Sequence, residues 1–539
     1  MSLPTPRLNR KRFVLVKQEG TIGTDSSPTS ANGIYLESLT VKKMETKAID
    51  RNSIRPFLGS GGKIISSYEG SIEMEIALAI GGDANGVPTP GTVPAWDVLM
   101  TGCGVAQYAS TQAISGNAAA GTSNTLTLEA GSSSTNDIFC GTSVLVSLAS
   151  NTCASGTADK LSFTLATADT SLVENDELVG GIARLTHTSG TLPAQPGVTV
   201  MNKQVILQVV ANYINKTMDL TGCFLRVTTG SKTDIRKIAS KSGLTVTLDK
   251  KLSALPTSSS TYSLIEERKI KSSTVATKVI ELTTALQFAA ATTTLYSIPE
   301  RRLIINYDGS TKIATVGKPF SKTITTGIPY VINPFVRYYP ISTAFKTNTI
   351  YYYEDGALHT FTGAMGTFTM DFSTGQLPTA KFTYTGIVDR YEDASLPTYD
   401  VSKWVEPVPV NFENTKDLII GDYANTVTDK ISFDAGNEVV HTNCPGFEAV
   451  YIKDRAVKGS VGIWAPKQSE MDFYELVKTG RKTVFAFTHG PIGNQIALFA
   501  QSVQLSNPSD SEKDGVQMLS LDLSMVPTSD GGDWQMVLQ

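Results

Sequence analysis

The chain has 539 residues and a mass of 57.7 kDa, too long for one compact core, and at roughly 150 residues per domain we expect three or four domains. Charged residues make up 18% of the chain, below the ~25% of an ordinary soluble domain, and the formal net charge of −4 argues against a dedicated nucleic-acid binder. An apolar fraction of 41% suffices for a core, and 44 glycines among many Ser and Thr favour strands and turns over helices.

Other classes of protein are also disfavoured. No apolar run approaches the ~18–20 residues of a membrane helix, and the charged N-terminal residues lead into no hydrophobic segment of a secretory signal. The five cysteines are odd in number and far apart, which predicts reduced thiols rather than a disulfide framework or a zinc site. No catalytic motif is complete. We therefore expect no enzyme activity, no catalytic residue, no cofactor, no metal and no membrane insertion.

In chain order, the first strong pattern is an alternation over residues 71–78, where Ile72, Met74 and Ile76 face one side and Glu73 and Glu75 the other. The same two-residue period recurs over residues 367–372, 381–385 and 518–525. Such alternation predicts strands with one packed face and one wet face. One helix is predicted in the C-terminal part, over residues 469–478, with a glycine just beyond it as a stop signal.

A long insertion, from about residue 107 to 348, is rich in Ser, Thr, Ala and Gly. Its turns every 8–12 residues are typical of small all-β modules. Arg236-Lys-Ile238 with Gly243 matches Arg302-Leu-Ile304 with Gly309 at an offset of 66 residues, and a fainter relative spans residues 121–200. We predict three inserted β modules, over residues 109–200, 201–270 and 271–344.

The two ends of the chain resemble each other. Gly70-Ser-Ile-Glu-Met74 aligns with Gly459-Ser-Val-Gly-Ile463, and Trp96-Asp-Val-Leu-Met-Thr-Gly102 aligns with Tyr474-Glu-Leu-Val-Lys-Thr-Gly480. Two alternating strands then follow in each case, over residues 358–372 and 380–388, and over 496–505 and 516–526. This common order predicts an internal duplication. The first domain would be discontinuous, with residues 1–108 and 345–400, and the second would span 401–539.

Several segments outside the insertion also resemble one known family when taken in order. They are residues 16–25, 51–59 and 93–97, Tyr353-Glu-Asp-Gly356 with His359, and residues 363–368. This ordered set is similar to the major tail tube protein of long-tailed, non-contractile bacteriophages. The resemblance implies a mainly-β fold, with two β-sandwich tail-tube domains that each carry a short flanking helix, plus immunoglobulin-like β modules in the insertion.

The resemblance also implies a function. Such a subunit is a structural virion protein whose copies form rings that stack into a tube, through which the genome is ejected. Relatives with one domain form hexameric rings, so a chain with two tube domains implies a pseudo-hexameric ring of three copies. The implied partners are other copies, the tape measure, tail terminator and distal tail proteins, and double-stranded DNA that passes non-specifically. The implied location is the phage tail, after assembly in the host cytoplasm.

The wet positions of the alternating strands are the candidate channel-lining residues. They are Glu73, Glu75, Thr367, Thr369, Asp371, Ser520, Asp522 and Ser524. Acids and hydroxyls at these positions would avoid the salt-dependent binding that Lys or Arg makes with DNA phosphates. The simpler interpretation is that each of them faces outside solvent. Residues 42–63, rich in lysine and glycine, are a candidate arm for stacking rings.

Two other functions stay open at this point. One is a virion surface adhesin or decoration protein whose inserted modules bind host carbohydrate. The other is a tail-associated enzyme that degrades cell-wall polysaccharide. The duplication favours neither, because neither function needs two similar halves related as segments of a ring.

Overall fold

The computed structural model describes residues 8, 10–51, 62–83, 86–156, 160, 162–165, 182–193, 204–207, 220–221, 223–230, 232–242, 244–249, 252, 256–274, 276, 278–288, 290, 294–398, 400–424, 426–491, 493–528 and 532–539. Most of the segment 51–59, and parts of the predicted arm 42–63 and of the predicted repeat 121–200, lie outside these residues. The chain divides into two compact units. Unit 1 comprises residues 1–86, 90–111 and 335–539, and unit 2 comprises residues 87–89 and 112–334.

The mainly-β fold class predicted from composition is confirmed. In chain order, the strands of the first half of the chain are β1 (Arg12–Gln18), β2 (Gly33–Ile34), β3 (Ser38–Asp50), β4 (Lys63–Ala77), β5 (Val105–Ser110), β6 (Ile114–Asn117), β7 (Ala120–Gly121), β8 (Thr125–Thr127), β9 (Ser143–Gly156), β10 (Ser162–Leu165), β11 (Ile182–Thr191), β12 (Gln204–Ile206), β13 (Phe224–Thr229), β14 (Lys232–Ser242), β15 (Thr245–Leu248) and β16 (Thr261–Thr274). The remaining strands are β17 (Val279–Leu282), β18 (Leu295–Asp308), β19 (Ile313–Val316), β20 (Pro329–Ile332), β21 (Phe335–Pro340), β22 (Asn348–Glu354), β23 (Ala357–Ser373), β24 (Thr379–Asp393), β25 (Thr415–Ile420), β26 (Thr428–Asp434), β27 (Asn437–Cys444), β28 (Phe447–Arg455), β29 (Lys458–Trp464), β30 (Lys482–His489), β31 (Ile496–Lys513), β32 (Val516–Met525) and β33 (Gln535–Leu538).

Two short α-helices, α1 (Asp97–Thr101) and α2 (Phe473–Thr479), and one 3-10 turn (Ser30–Asn32) occur within the described part of the chain. The predicted helix over 469–478 starts too early, because the Asp472 side chain caps α2 by accepting a 2.9 Å hydrogen bond from the Glu475 amide. Gly480 ends α2 with φ +62°, as its position predicted. None of the described helices is long and apolar enough to cross a membrane.

The strand order of unit 1 occurs twice. In the first half of the unit, strands pair in the order β1–β22–β23–β24–β4–β3, and in the second half in the order β25–β30–β31–β32–β29–β26. Each strand of the first series has its counterpart at the same place along the chain, and α1 and α2 follow equivalent strands. Antiparallel pairing of β23 with β26 joins the two series into one sheet.

One hydrophobic core serves both halves of unit 1. Phe368 from the first half lies 5.8 Å, between ring centroids, from Phe433 of the second half. Trp534 contacts both rings edge-on, at 5.7 Å and 5.0 Å. All three aromatic side chains are buried. The two halves are therefore parts of one folded unit rather than separately packed bodies.

Unit 2 is built on a repeated bulged hairpin. Directly paired residues Ile238 and Leu248, Ile270 and Leu282, and Ile304 and Val316 each precede a register shift of the same kind. An arginine stands two residues before each isoleucine, at positions 236, 268 and 302. The predicted repeat at an offset of 66 residues therefore skips a copy, since the middle hairpin, β16 with β17, lies between the other two. The predicted module boundary between residues 270 and 271 falls inside β16.

Two of these hairpins carry a buried carboxylate beside the arginine. Glu266, buried, accepts hydrogen bonds from the Gln287 amide at 2.6 Å and from Arg268 at 2.7 Å, and His187 Nε2 lies 3.0 Å from its Oε1. Glu300 accepts from Arg302 at 2.8 Å in the equivalent place. Burial alone raises the pKa of Glu266, but the His187 and amide hydrogen bonds and the neighbouring positive charge outweigh it, so the pKa lies below its ordinary value.

Candidate channel face

All eight candidate channel-lining residues lie on one face of the unit 1 sheet. Directly opposed residues of an antiparallel pair share a face, and so do alternate residues of one strand. The first row across the sheet runs through Glu75, Lys381, Thr369, Asp434, Lys458 and Ser524, on six neighbouring strands. It takes in candidates from both halves of unit 1.

The other candidates extend this face in neighbouring rows. One row contains Asp371, Ser432, Ser460 and Asp522; a second contains Glu73, Thr383 and Thr367; a third contains Lys430, Gly462 and Ser520. We call the residues of these four rows the polar face. It runs without interruption across β4, β24, β23, β26, β29 and β32.

The reverse face of the same strands is apolar, as the alternation predicted. Met74, Phe382, Met370, Val461 and Leu521 are each at most 2% exposed and belong to the hydrophobic core that both halves of unit 1 share. Burial of one face fixes the register, because a slip of one residue would bring the charged side chains into the core. The core therefore holds the polar face in place.

The polar face contains three lysines that the sequence analysis did not select: Lys381, Lys430 and Lys458. Each is beside a carboxylate of a neighbouring strand: Lys381 lies 2.8 Å from Glu73, Lys430 2.8 Å from Asp371, and Lys458 3.6 Å from Asp434. The strand pairing therefore adds three lysines to the face on which the eight acidic and hydroxyl candidates lie.

The charges of the polar face largely cancel. Its four rows hold five carboxylates and three lysines, and hydroxyl or small side chains fill the other positions. Several hydroxyls are also bound across strands: Ser432 and Ser460 hydroxyls lie 2.7 Å apart, and Ser38 donates to Glu75 at 2.8 Å. A face of this kind offers DNA phosphates few cations that are not already beside an anion.

The series of strands that carries the polar face ends in an open edge on each side. Within the described residues, β3 pairs only with β4, and residues 505–513 of β31 pair only with β32. These two edges occupy the outer ends of the series β3–β4–β24–β23–β26–β29–β32–β31. Inside the chain, the counterparts of β31 and β3 are β23 and β26, and those two strands pair with each other.

Formal charge differs in sign between the units. Residues 112–334 contain 20 basic and 15 acidic side chains, whereas the rest of the chain contains 26 basic and 35 acidic ones. Unit 1 thus accounts for a net charge of −9 and unit 2 for +5. The polar face belongs to the acidic unit.

Comparisons with known proteins assign no family to the chain. A scan against models of known protein families finds no match, and a search of curated proteins finds no significant relative. Among the described residues, no group of three or more His, Cys, Asp or Glu side chains is placed to hold a metal ion.

Proposed function

We propose that the protein is the subunit of a bacteriophage tail tube, whose rings stack around a channel for the genome. The observation that carries this proposal is the doubled strand order of unit 1, with open edges at both ends and the polar face continuous across the joint. The sequence resemblance to tail tube proteins points to the same function. The further partners that it implies, the tape measure, terminator and distal tail proteins, are part of the proposal.

The joint between β23 and β26 is a template for contact between copies. Since β31 and β3 are the counterparts of these strands, the β31 edge of one copy would pair with the β3 edge of the next. Repeating that step closes a ring in which the β3 and β31 edges of every copy are covered, which removes the hazard of uncontrolled pairing at these two edges. Three copies, each with two equivalent halves, give six similar segments around a bore.

The chemistry of the polar face suits a wall past which DNA slides. Phosphate contacts by free Lys or Arg would hold DNA in a salt-dependent way. On the polar face, however, each lysine is neutralised by a carboxylate within 4 Å, and the net charge stays negative. Head-to-tail stacking of such rings is a heterologous contact, which builds an open filament.

The test is to reverse the charge of the polar face. We expect the combined variant Glu73→Lys, Glu75→Lys, Asp371→Lys and Asp522→Lys to assemble into tubes but to slow DNA ejection from virions that carry it. The cause would be four new lysines along the bore, together with Lys381 and Lys430, which would lose their carboxylate partners Glu73 and Asp371. A matched control changes four exposed carboxylates outside the polar face, Glu392, Asp400, Glu413 and Glu470, to lysine.

Ejection kinetics, followed by dye uptake of the released DNA, separate the outcomes. Slow ejection by the first variant alone, relieved by high salt, supports the proposal. Equal kinetics in both variants would remove the polar face from the bore. A surface adhesin that binds carbohydrate, the alternative function, predicts no tubes at all from the purified protein.

A further inference from the structure

The joint between β23 and β26 is sealed by apolar side chains on the reverse of the polar face. On β23, Phe368, Met370 and Phe372 are each at most 2% exposed. Met370 stands directly opposite Phe433 of β26, and Phe372 opposite Ile431, and these two side chains are also buried. Contact between the two halves inside the chain is therefore apolar on this side of the sheet.

The open edge of β31 carries acidic side chains at the places of these apolar ones. Equivalent places follow from rows of directly paired residues that start at the aligned positions 74 and 463. The rows are Met74–Phe382–Phe368 in the first half and Ile463–Leu519–Asp510 in the second. Asp510 thus takes the place of Phe368, and Glu512, two residues further on, takes that of Met370. Both acidic side chains are exposed.

No ion pair of the described residues includes Asp510 or Glu512. Asp510 accepts a hydrogen bond from the Tyr474 hydroxyl at 3.3 Å, and the nearby Lys513 lies beside Asp429 instead. Over residues 505–514, three acids and one lysine give a formal net charge of −2. Charges on an edge strand protect it from uncontrolled pairing, and they make this edge repel another copy of itself.

The place of Phe433 on the other open edge, that of β3, is filled by a lysine and its neighbour. Phe433 pairs with Gly459, which aligns with Gly70, and β3 bulges opposite Gly70. The two residues of this bulge, Lys43 and Met44, therefore take the place of Phe433.

The β3 edge has the opposite charge to the β31 edge. The side chains of Lys42, Lys43 and Lys47 are 60%, 41% and 58% exposed. With Glu45, they give residues 38–47 a formal net charge of +2. Each of these lysines lies beside a carboxylate of its own chain, but an ammonium group has three donors and can bind a second carboxylate as well.

We infer that copies of this chain meet through an ionic seam, in which Lys43 of one copy faces Glu512 of the next. This pair takes the place that Phe433 and Met370 hold inside the chain. The inference rests on the proposed function. The occupant of each edge is a second copy, because the two edges have opposite net charge and continue the joint strand for strand.

An ionic seam gives the contact between copies a direction. Two β31 edges repel each other, and so do two β3 edges, so only unlike edges pair. A contact of one heterologous kind is what a closed ring needs. Because salt screens exposed charges, concentrated salt should separate the copies from one another while the apolar joint keeps the two halves of each chain together.

The experiment exchanges the charges of the two edges in the full-length protein. Lys42→Glu with Lys43→Glu changes the net charge of the β3 edge from +2 to −2. Asp510→Lys with Glu512→Lys changes that of the β31 edge from −2 to +2. A further variant carries all four changes, so that its two edges are again opposite in charge.

A matched control reverses two exposed lysines elsewhere in unit 1, Lys403→Glu and Lys467→Glu. Sedimentation and electron microscopy count rings and free copies, and unfolding temperatures close to that of the wild type show that each variant is folded. We expect rings from the wild type, the control and the variant with four changes, and free copies from each variant with one altered edge.

A mixture of the two variants with one altered edge gives a second measurement. Acidic and basic copies should associate but form no closed ring of three, because an odd ring cannot alternate. Rings from either variant alone, free copies from the folded variant with four changes, or no association in the mixture would each overturn the inference. If the wild-type protein itself forms no ring, the proposed function fails instead.

Discussion

Both units of the protein are built by repetition, but on different scales. Unit 1 repeats a series of six strands and a helix, and its two copies share one sheet and one core. Unit 2 repeats a single bulged hairpin, and its cores form smaller, separate clusters. Repetition of a whole series leaves complementary open edges, β3 at one end and β31 at the other, whereas repetition of hairpins inside a unit does not by itself call for another copy.

The pairs of the polar face and the buried pair of unit 2 differ in exposure. On the polar face, Lys381 and Glu73 are 48% and 39% exposed, whereas Glu266 of unit 2 has a fully buried side chain. Exposed pairs contribute little to stability, but a buried carboxylate that loses a partner is costly. The charged side chains of the polar face are therefore not needed for stability and can serve another function.

The largest change in stability is expected from a substitution in the core that the two halves of unit 1 share. Phe433→Ala opens a cavity between Phe368 and Trp534, so we expect a loss of about 3–5 kcal/mol from the free energy of unfolding of unit 1. Both halves should lose hydrogen-exchange protection together, while unit 2 keeps its own. Loss of protection in the second half alone would contradict a common core.

A smaller effect is expected at the buried carboxylate of unit 2. Glu266→Gln keeps the shape but removes the charge that faces Arg268 and His187, and we expect a loss of about 3 kcal/mol. Thermal unfolding at pH 7, with Glu300→Gln as the equivalent change in the next hairpin, measures it. Glu300 has no histidine contact among the described ion pairs, so its substitution should cost less. Equal losses of stability in the two variants would show that the contact between His187 and Glu266 contributes nothing to stability.

The same carboxylate predicts how stability depends on pH. Because the pKa of Glu266 is lowered in the folded protein, its contribution is complete above the unfolded value, near 4.5, and is lost as the pH falls through the folded value. Below about pH 4.5, the wild type should therefore lose more stability than Glu266→Gln. Acid titration of the unfolding temperature tests this, and parallel curves for the two proteins would count against it.

The smallest effect is expected on the polar face itself. Lys381→Gln removes an exposed pair with Glu73, and the expected change in the free energy of unfolding is below about 1 kcal/mol. Chemical denaturation measures this change. A loss comparable to that of Glu266→Gln would mean that the ion pairs of the polar face stabilise the protein as much as the buried carboxylate of unit 2 does.

Much of unit 1 could be predicted from local patterns. The two-residue period was enough to place all eight candidates on the same side, because Met74 and Leu521 must be buried. Lys381 lies in a strand recognised by the same period, yet a selection of acids and hydroxyls passed over it. Its neighbours Glu75 and Thr369 follow from pairing between distant strands, and no single strand carries that information.

The sequence revealed only two of the three repeated hairpins of unit 2, because the segment between the strands of the middle hairpin differs from the other two. In the sequence, the segments between the paired strands of the outer hairpins each contain a glycine, Gly243 or Gly309, whereas residues 275–278, between β16 and β17, contain none. Lys278 there adopts φ +54°, a conformation that side chains seldom take, so the turn gives no sequence signal. Likewise, nothing in the sequence of residues 437–455 marks them as the counterpart of the hairpin formed by the ends of β3 and β4; that equivalence follows from strand order.

The most direct test of the central claim is electron microscopy of the purified, assembled protein in end-on view. The account predicts rings of three copies with pseudo-sixfold symmetry, a central bore faced by the polar side of the sheet, and β31 of one copy beside β3 of the next. A compact single chain without a bore, or a ring of six copies, would contradict it.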